Sequence, residues 1–381
     1  MPGKSKWVVV STAVTFGRSA TQPVRRLEDA GCEVRLNPYG RPLSKDEMVE
    51  FAHDADAIIL GNDQLPASVI KRLKKLKVIA RYGVGFDGVD LAEARDQGIV
   101  VTYAPATNRE ETADFTFGLI LDLERHISRM VMDTRAGGWK KYTGTSLYGK
   151  TIGIIGVGQI GTAVARRALG FGMDILGYDI VQRNEAAVYG VVYTTLNDLL
   201  RRSDIVTIHL PLDESTRNLI GSRELRLIKP GSILINTARA GIVRHGALDK
   251  ALRDGRLAGF AIDVFSKEPP DHQPYYDYDN VLVTPHVAGN TYESSQRMGN
   301  VVVDNILSVK EGVEPPDPVT PQHLYESMLA MGRGLETPNH PVVTPPRSKR
   351  DLIDKIEGKN IHPNSSPDIL QLASARKHIQ K

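Results

Sequence analysis

The sequence predicts an α/β protein built from two doubly wound parallel sheets with a cleft between them. Apolar strand patterns alternate with amphipathic helix patterns over residues 7–103, and the same alternation resumes at residue 151. Strands that alternate with helices form parallel sheets with helices on both faces. A glycine-rich turn opens the second half, which favours a ligand at the carboxyl edge of that sheet. At 381 residues the chain is long enough for two such domains.

The glycine-rich turn lies in residues 151–179, between a β-branched apolar run and a helical stretch. Gly156 allows the tight turn out of the strand, Gly158 lets backbone approach a pyrophosphate, and Gly161 lets helix and strand pack closely. The helix N-terminus offers unpaired N–H groups to phosphates. Asp179, 18 residues after Gly161, lies where a carboxylate accepts both ribose hydroxyls. This pattern predicts a Rossmann domain that binds a dinucleotide.

The first domain is predicted to be flavodoxin-like, and it carries no such glycine motif. Its apolar runs predict strands at residues 7–12, 32–37, 55–61, 77–83 and 98–104. The intervening patterns predict helices at residues 21–30, 44–53, 66–76 and 91–97.

A long helix is predicted from Asn108, which caps it, to about residue 133. Glu110 and Glu111 lie in its first turn, where acids favour the helix dipole. Its apolar positions cover more than one face, so the helix must be covered on most sides. The cover is either its own domain or a second subunit.

The rest of the second domain continues the alternation, and a last helix is predicted to return to the first domain. Strands are predicted at residues 204–212, 232–241, 257–265 and 280–289, and helices at 197–202, 224–228, 246–254 and 291–310. The first domain is therefore expected at residues 1–104 and 291–315, and the nucleotide-binding domain at residues 105–290. Residues 316–381 hold nine of the 22 prolines and little periodicity, so they are predicted to be a largely disordered tail.

Charge and cysteine content exclude several classes of protein. A net charge of +3, from 48 basic and 45 acidic side chains, gives no electrostatic footprint for nucleic acid or an anionic membrane. The apolar run at residues 7–10 is too short for a signal peptide, and no run reaches the length of a membrane span. The single cysteine, Cys32, excludes an internal disulfide and a cysteine metal cluster. We expect a cytoplasmic protein without a metal site.

Three polar side chains follow successive predicted strands of the second sheet. Arg239, Glu268 and His286 are separated by 29 and 18 residues, each about one strand–helix unit, so neighbouring strand tips carry them. Arg239 can hold a carboxylate with two bonds, and His286 can pass a proton to or from a substrate oxygen. Glu268 bonded to the other ring nitrogen would fix the tautomer. Each residue alone is more often a loop residue, but together they indicate a site for hydride transfer to a 2-keto acid.

The loop at residues 81–87 lies at the carboxyl end of a predicted strand of the first domain. Gly83 and Gly85 can offer backbone N–H groups to an anion, and Arg81 can add charge. A plain glycine turn with a surface arginine explains the same residues equally well.

Several long blocks resemble the signature segments of the D-2-hydroxyacid dehydrogenases, most closely the D-3-phosphoglycerate dehydrogenase-like branch. They are RYGVGFDGVD, GKTIGIIGVGQIG, SDIVTIHLPL, GSILINTARAGIV, AIDVFSKEP and TPHVAG. The match covers roughly residues 7–315, with the family's order and spacing. The resemblance implies an NAD-dependent homodimer acting on a small 2-hydroxy or 2-keto acid. It also implies catalytic roles for Arg239, Glu268 and His286.

The resemblance further assigns binding residues. Val84 and Gly85 would bind the substrate carboxylate through backbone, together with Arg81, Arg239 and His286. Asp263 would meet the nicotinamide carboxamide, and the helix from Asn108 would form much of the dimer contact. The expected cofactor residues are Gly156, Gly158, Gln159, Ile160, Gly161, Asp179, His209, Pro211, Thr237, Ala238 and Asp263.

Departures from the family pattern leave the substrate open. Glu268, where a glutamine would mark the formate dehydrogenase branch, argues against that branch. Phosphoglycerate-specific members commonly have an arginine after the strand at 55–60, where this chain has Gly61-Asn62-Asp63, so Arg81, Lys140 or Lys141 would have to compensate. Phosphohydroxypyruvate, hydroxypyruvate and glyoxylate all remain candidates.

Two further alternatives follow from the same residues. Asp179 favours NAD over NADP because a carboxylate repels a 2′-phosphate, although Arg183 lies only four residues on. An NAD-sensing corepressor-like binding protein of the same fold is the alternative function, since such proteins keep the arginine, glutamate and histidine. Turnover of a 2-keto acid with NADH discriminates between the two functions.

Overall fold

The computed structural model describes residues 6–319, and the predicted tail lies almost entirely outside them. Five parallel strands form the first sheet in the order β2-β1-β3-β4-β5. They are β1 (Val8–Ser11), β2 (Glu33–Leu36), β3 (Ala57–Leu60), β4 (Val78–Arg81) and β5 (Val100–Thr102). Ala57–Leu60 is buried throughout, as expected for a central strand covered by helices on both faces.

Four helices follow strands of the first sheet along the chain. They are α1 (Gln22–Asp29), α2 (Lys45–Ala52), α3 (Ala67–Ile70) and α4 (Leu91–Asp96). The predicted helix over residues 66–76 was wrong beyond Ile70. There the chain continues with bonds to the third residue back, as in Leu73 N–H to Ile70 O (3.0 Å) and Leu76 N–H to Leu73 O (3.2 Å). This tighter winding points Leu73 and Leu76 into the core.

A final helix joins the first sheet from the far end of the described chain. This helix, α12 (Tyr292–Glu311), begins at the capping Thr291 and ends at Gly312. Its buried Val302, Val303 and Ile306 pack in one cluster with residues of β1, β3 and β4. The first lobe, meaning the first sheet with its helices, is therefore assembled from two separate stretches of chain. We propose residues 1–104 and 291–315 as its limits, around a nucleotide-binding domain at 105–290.

The second lobe is built on a parallel sheet of seven strands in the order β12-β11-β10-β9-β6-β7-β8. The chain begins in the middle, at β6, and the strand order reverses between β6 and β9. Ligands of open α/β sheets bind beside such a reversal. The prediction of two doubly wound parallel-sheet domains is confirmed. The strands are β6 (Thr151–Ile155), β7 (Asp174–Tyr178), β8 (Val191–Tyr193), β9 (Ile205–Ile208), β10 (Ser232–Asn236), β11 (Leu257–Ile262) and β12 (Val281–Val283).

Helices cover both faces of the second sheet. They are α5 (Arg109–Arg125), α6 (Ile127–Arg135), α7 (Gln159–Gly170), α8 (Asn184–Ala187), α9 (Leu196–Arg202), α10 (Ser222–Leu227) and α11 (His245–Arg253). The short elements α8 and β8 were not predicted. Within residues 6–319, no helix is long and apolar enough to cross a membrane.

The predicted helix from Asn108 to residue 133 is broken into α5 and α6. His126 adopts a left-handed conformation (φ 54°), and the Asp122 carboxylate accepts the Ser128 N–H (2.7 Å) at the start of α6. Apolar residues continue through the break, so periodicity gave no sign of it. Asn108 precedes α5 but makes no side-chain capping bond, which corrects the predicted cap.

Candidate active site

The glycine-rich turn connects β6 to α7 at the centre of the second sheet. Gly156 has φ +93°, and a Cβ there would lie 2.6 Å from the His209 carbonyl oxygen. A Cβ on Gly161 would overlap the Gly156 carbonyl oxygen. Both positions therefore require glycine for the turn and the helix to fit against the sheet.

The open space beside Gly158 can accommodate a bound pyrophosphate. Gly158 is the residue before α7, and a Cβ placed there would meet no protein atom within 4 Å. The helix N-terminus directs its N–H groups to this side. His209 lies beside the turn with its Nε2 2.9 Å from Thr207 Oγ1, while its buried Nδ1 has no described partner. Desolvation lowers the pKa of His209 to about 3, so the ring is neutral. The open turn and the unpartnered nitrogen fit a dinucleotide.

The Asp179 carboxylate is fixed at the end of β7 by backbone. Its Oδ2 accepts the Val157 N–H (2.7 Å) of the glycine-rich turn, and its Oδ1 accepts the Val181 N–H (3.0 Å). Each oxygen keeps a further lone pair. The carboxylate is thus held in one orientation beside the turn, as a ribose-binding acid requires.

A cleft of about 1210 Å³ runs between the two lobes. Among the predicted cofactor residues, those that line it are Gln159, Ile160, His209, Pro211, Thr237, Ala238 and Asp263. An adjoining pocket of about 470 Å³ holds Arg81, Gly85, Arg239, Glu268 and His286 among its lining residues. The structure therefore brings these seven predicted cofactor residues and the predicted substrate residues to adjoining openings, whereas Gly156, Gly158, Gly161 and Asp179 do not line either one.

Asp263 stabilises the turn that carries His286 through hydrogen bonds. This fully buried carboxylate accepts bonds from Thr284 Oγ1 (2.6 Å), Val287 N–H (3.0 Å) and Ala288 N–H (2.8 Å). Burial raises the pKa of Asp263 despite these bonds. His286 itself has φ 54°, a conformation that costs about 1–3 kcal/mol in a non-glycine residue. The Asp263 bonds on both sides of it hold that turn in place.

Glu268 and His286 form an ion-pairing contact at the carboxyl edge of the second sheet. Glu268 Oε1 is 2.6 Å from His286 Nδ1, and it also accepts the Phe265 N–H (3.3 Å). Burial acts to raise the pKa of Glu268, but the bond to His286 and its positive charge outweigh burial and leave that pKa below its ordinary value. Glu268 is therefore ionised, so the shared hydrogen lies on Nδ1 and Nε2 remains for the substrate.

Arg239 crosses the cleft to the first lobe. Its Nε and Nη2 each lie 3.0 Å from Asp87 Oδ1, and its Nη1 donates to the Ala238 carbonyl (2.8 Å). The guanidinium rests directly on Gly85, where a Cβ would overlap Nη2. Of five N–H donors, one on each terminal nitrogen is left for a ligand.

Arg81 is turned inward and does not offer its guanidinium as a fork to a ligand. Burial, with the charge of Arg239 nearby, lowers the pKa of Arg81 to about 10, so the group stays charged. It forms no ion pair with a carboxylate of residues 6–319. Four of its N–H donors are used by protein oxygens, namely the carbonyls of Leu60, Tyr82 and Gly85 and the Asn62 side chain.

The loop held by Arg81 leaves its backbone donors open. In the described chain, the N–H groups of Val84 and Gly85 bond to no protein acceptor, and both residues line the cleft. Two adjacent N–H groups beside two guanidinium groups suit a carboxylate.

Two side chains at this site were not predicted as functional. Asp87 pairs with Arg239, and Asn62 Nδ2 donates to Glu268 Oε2 (3.2 Å) and lies 3.0 Å from His286 Nδ1. Their position after strands of a parallel sheet was the available signal. Lys140 and Lys141 do not line either opening, and Lys140 instead lies 4.9 Å from the Tyr142 ring.

The fold is one that binds dinucleotides, and its cleft contains an arginine and a histidine that is hydrogen-bonded to a carboxylate. This combination defines a nicotinamide-dependent oxidoreductase. Residues 117–288 match the family described as D-isomer specific 2-hydroxyacid dehydrogenase, NAD binding domain. A glyoxylate reductase of Korarchaeum cryptofilum is 41% identical over 285 residues, covering 72% of this chain and 86% of that protein. A D-3-phosphoglycerate dehydrogenase of Methanocaldococcus jannaschii is 38% identical, covering 76% of this chain and 55% of that protein.

Comparison with solved structures agrees with the sequence comparison. The crystal structure of TT0316 protein from Thermus thermophilus superposes with a TM-score of 0.74 at 37% identity, covering 82% of this chain and all of that one. The chain belongs to the D-isomer specific 2-hydroxyacid dehydrogenases. It is an NAD-dependent enzyme that transfers a hydride between the nicotinamide and a D-2-hydroxy acid or 2-keto acid.

Proposed function

We propose that this enzyme reduces a short, non-phosphorylated 2-keto acid such as glyoxylate or hydroxypyruvate, with Arg239, Glu268 and His286 as its catalytic residues. The observation that carries the proposal is the 2.6 Å contact between Glu268 and His286 beside Arg239, in a pocket continuous with the cofactor cleft. When bound, NADH supplies the hydride.

His286 is the proton donor in this proposal. Glu268 holds Nδ1, so the proton on Nε2 is the one that reaches the substrate oxygen. As hydride adds to the keto carbon, negative charge develops on that oxygen. The proton from Nε2 neutralises it, and the two free N–H groups of Arg239 stabilise the charge while it forms.

The substrate carboxylate is proposed to bind the loop of the first lobe. The open N–H groups of Val84 and Gly85 donate hydrogen bonds to the carboxylate, and the buried charge of Arg81 attracts it electrostatically. Gly158, Asp179 and the unpartnered Nδ1 of His209 are proposed to hold the cofactor.

The pocket is lined by uncharged amides as well as by Lys45 and Lys267, and Lys267 is already paired with Asp271. Asn62 and Gln64 line it, and the buried Asp63 is bonded to the Leu43 N–H (2.6 Å). Because four N–H groups of Arg81 already donate to protein oxygens, Arg81 cannot bind a phosphate with two parallel hydrogen bonds. The relative named as a glyoxylate reductase is consistent with a small acid.

NADH oxidation against glyoxylate, hydroxypyruvate, phosphohydroxypyruvate and phosphonopyruvate tests the substrate and the alternative of a binding protein. We expect the first two to give the highest kcat/KM. His286→Ala should lower kcat by about 10²–10⁴-fold while the Kd for NADH changes little. Tight NADH binding with no turnover of any acid would instead support a corepressor-like binding protein.

We also propose a homodimer in the cytoplasm. Helix α6 buries none of its residues within the described chain, and Met132 is 67% exposed and Trp139 81% exposed. Such an apolar surface is usually covered by a partner, and the twofold arrangement of a second copy is the simplest cover. The lone buried thiol of Cys32 accords with a reducing compartment.

Sedimentation measures the dimer directly. Met132→Glu with Trp139→Ala should shift the chain from twice its monomer mass to the monomer mass. Val313→Glu is the matched control, because Val313 is equally apolar and 56% exposed but lies outside this surface. A wild-type chain that sediments as a monomer at micromolar concentration contradicts the proposal.

A further inference from the structure

Asn62 reaches from the first lobe to the Glu268–His286 pair of the second lobe. Its Nδ2 lies 3.2 Å from Glu268 Oε2 and 3.0 Å from His286 Nδ1. The contact joins residues 206 and 224 positions apart in the chain. It exists only while the two sides of the cleft lie at this separation.

Arg81 fixes which end of the Asn62 amide faces the pair. Arg81 Nη2 lies 2.9 Å from Asn62 Oδ1. A guanidinium only donates, so the atom facing it must be the amide oxygen. The amide nitrogen, with its two hydrogens, therefore faces Glu268 and His286.

This orientation places a donor next to a nitrogen that has no lone pair to offer. His286 Nδ1 already gives its hydrogen to Glu268 Oε1 at 2.6 Å. One Asn62 hydrogen is satisfied by Glu268 Oε2, and the partial positive charge of the amide lies against the ring. A positive dipole end beside imidazolium disfavours the charged ring relative to the neutral ring.

We propose that Asn62 is a positioning residue that promotes release of the His286 proton to the substrate, with Arg81 setting the orientation of its amide. The inference rests on the proposed role of His286 as proton donor. In the step, the Nε2–H bond of imidazolium breaks and an O–H bond forms on the substrate oxygen, whose carbon receives the hydride. Neutral imidazole remains, with its hydrogen on Nδ1 bonded to Glu268.

The same arginine connects Asn62 to the loop proposed to bind the substrate carboxylate. Arg81 Nε donates to the Gly85 carbonyl at 2.7 Å, and Nη2 donates to Asn62. One rigid guanidinium therefore bonds both to that loop and to the Asn62 amide.

Other charges act on the His286 ring and must stay constant in a test. Glu268 and Asp263 of the second lobe favour the imidazolium. Arg239, in the same pocket, opposes it, and Arg81 lies behind Asn62. Asp87 and Asp63 of the first lobe both interact with Arg81, and Asp87 also pairs with Arg239. An uncharged substitution at Asn62 leaves all of these charges in place.

The test follows the titration of the His286 ring by NMR in the full chain without cofactor. His286→Gln assigns its signal among the ten histidines. We expect Asn62→Ala to raise the titration midpoint by about 0.5–1 pH unit, the equivalent of one hydrogen bond. Asn62→Asp should raise it further, because a carboxylate replaces the donor. Gln64→Ala is the matched control, since this nearby amide makes no hydrogen bond to a described residue, and it should leave the midpoint unchanged.

Kinetics supply the second readout. Asn62→Ala should lower kcat for keto-acid reduction roughly tenfold, shift its pH dependence upward by the same amount, and leave KM within about twofold. An unchanged or lowered midpoint overturns the proposal, as does a rise in KM with unchanged kcat and pH dependence. If the wild-type enzyme turns over none of the tested acids, the proposed substrate fails, but the NMR midpoint still decides the role of Asn62.

Discussion

The Arg239 guanidinium meets the Asp87 carboxylate across the cleft, with both Nε and Nη2 3.0 Å from Oδ1. Asp87 therefore occupies the side edge of the guanidinium and leaves the end formed by Nη1 and Nη2 for a substrate. Burial acts to raise the pKa of Asp87, but the charge and hydrogen bonds of Arg239 outweigh it and hold that pKa below its usual range. An ionised Asp87 aims Arg239 at the pocket.

Asp87→Asn should lower kcat/KM for the keto acid about tenfold, because a neutral amide replaces the charged acceptor of Arg239. Steady-state kinetics with saturating NADH measure the effect. Asp90→Asn is the matched control. Asp90 only caps α4 through the Glu93 N–H (3.0 Å), and asparagine caps a helix equally well. An Asp87→Asn enzyme with wild-type kcat/KM would show that Arg239 needs no such partner.

Residue 85 must be glycine because the Arg239 guanidinium lies against it, and not because of its backbone conformation. A Cβ at Gly85 overlaps Arg239 Nη2, so Gly85→Ala should displace the guanidinium and lower kcat/KM by at least about tenfold. The loop is at the surface of the cleft, and the melting temperature should change little. Gly246→Ala serves as the control, because a Cβ at Gly246 meets nothing within 4 Å. A loss of melting temperature that matches the loss of activity would mean that the substitution disturbs the fold.

The sequence predicted the second-lobe part of this site because spacing constrains it. Strands β10, β11 and β12 are neighbours in one parallel sheet, so residues about one strand–helix unit apart come to one edge. Arg239, Glu268 and His286 were placed by that rule, and the glycine pattern located the cofactor turn. Both are local features of one sheet.

Contacts that span the cleft had no comparable signal. Asp87 lies 152 positions from Arg239, and Asn62 lies 224 positions from His286. Their meeting depends on how two separately folded sheets face each other, which no periodicity encodes. The break at His126 was missed for a different reason, since no glycine or proline marks it and left-handed residues of this kind are set by local hydrogen bonds.

Two glycines of the cofactor turn, Gly158 and Gly161, should show separate effects on cofactor binding and on stability. Gly158→Ala places its Cβ in open space, so the fold should keep its melting temperature while the Kd for NADH rises at least about tenfold. Gly161→Ala forces its Cβ onto the Gly156 carbonyl, and this overpacking should cost about 1–3 kcal/mol of unfolding free energy. Fluorescence titration of NADH and thermal unfolding of each variant measure the two effects. Equal loss of stability in both variants would contradict the assignment of Gly158 to the pyrophosphate.

Glu268 should make the stability of the enzyme depend on pH in a defined direction. The His286 bond lowers the folded-state pKa of Glu268 below the ordinary 4.5, although burial opposes it. The unfolded chain therefore binds the proton more readily than the folded chain, and the stabilisation present above pH 4.5 is lost as the pH falls through the folded-state pKa. Glu268→Gln removes this proton site but keeps the shape of the side chain. Urea unfolding at pH 5, 4 and 3 should find wild type more stable than Glu268→Gln by a margin that shrinks as the pH falls below 4.5. A margin that stays constant or widens over this range would mean that Glu268 is not ionised in the folded enzyme.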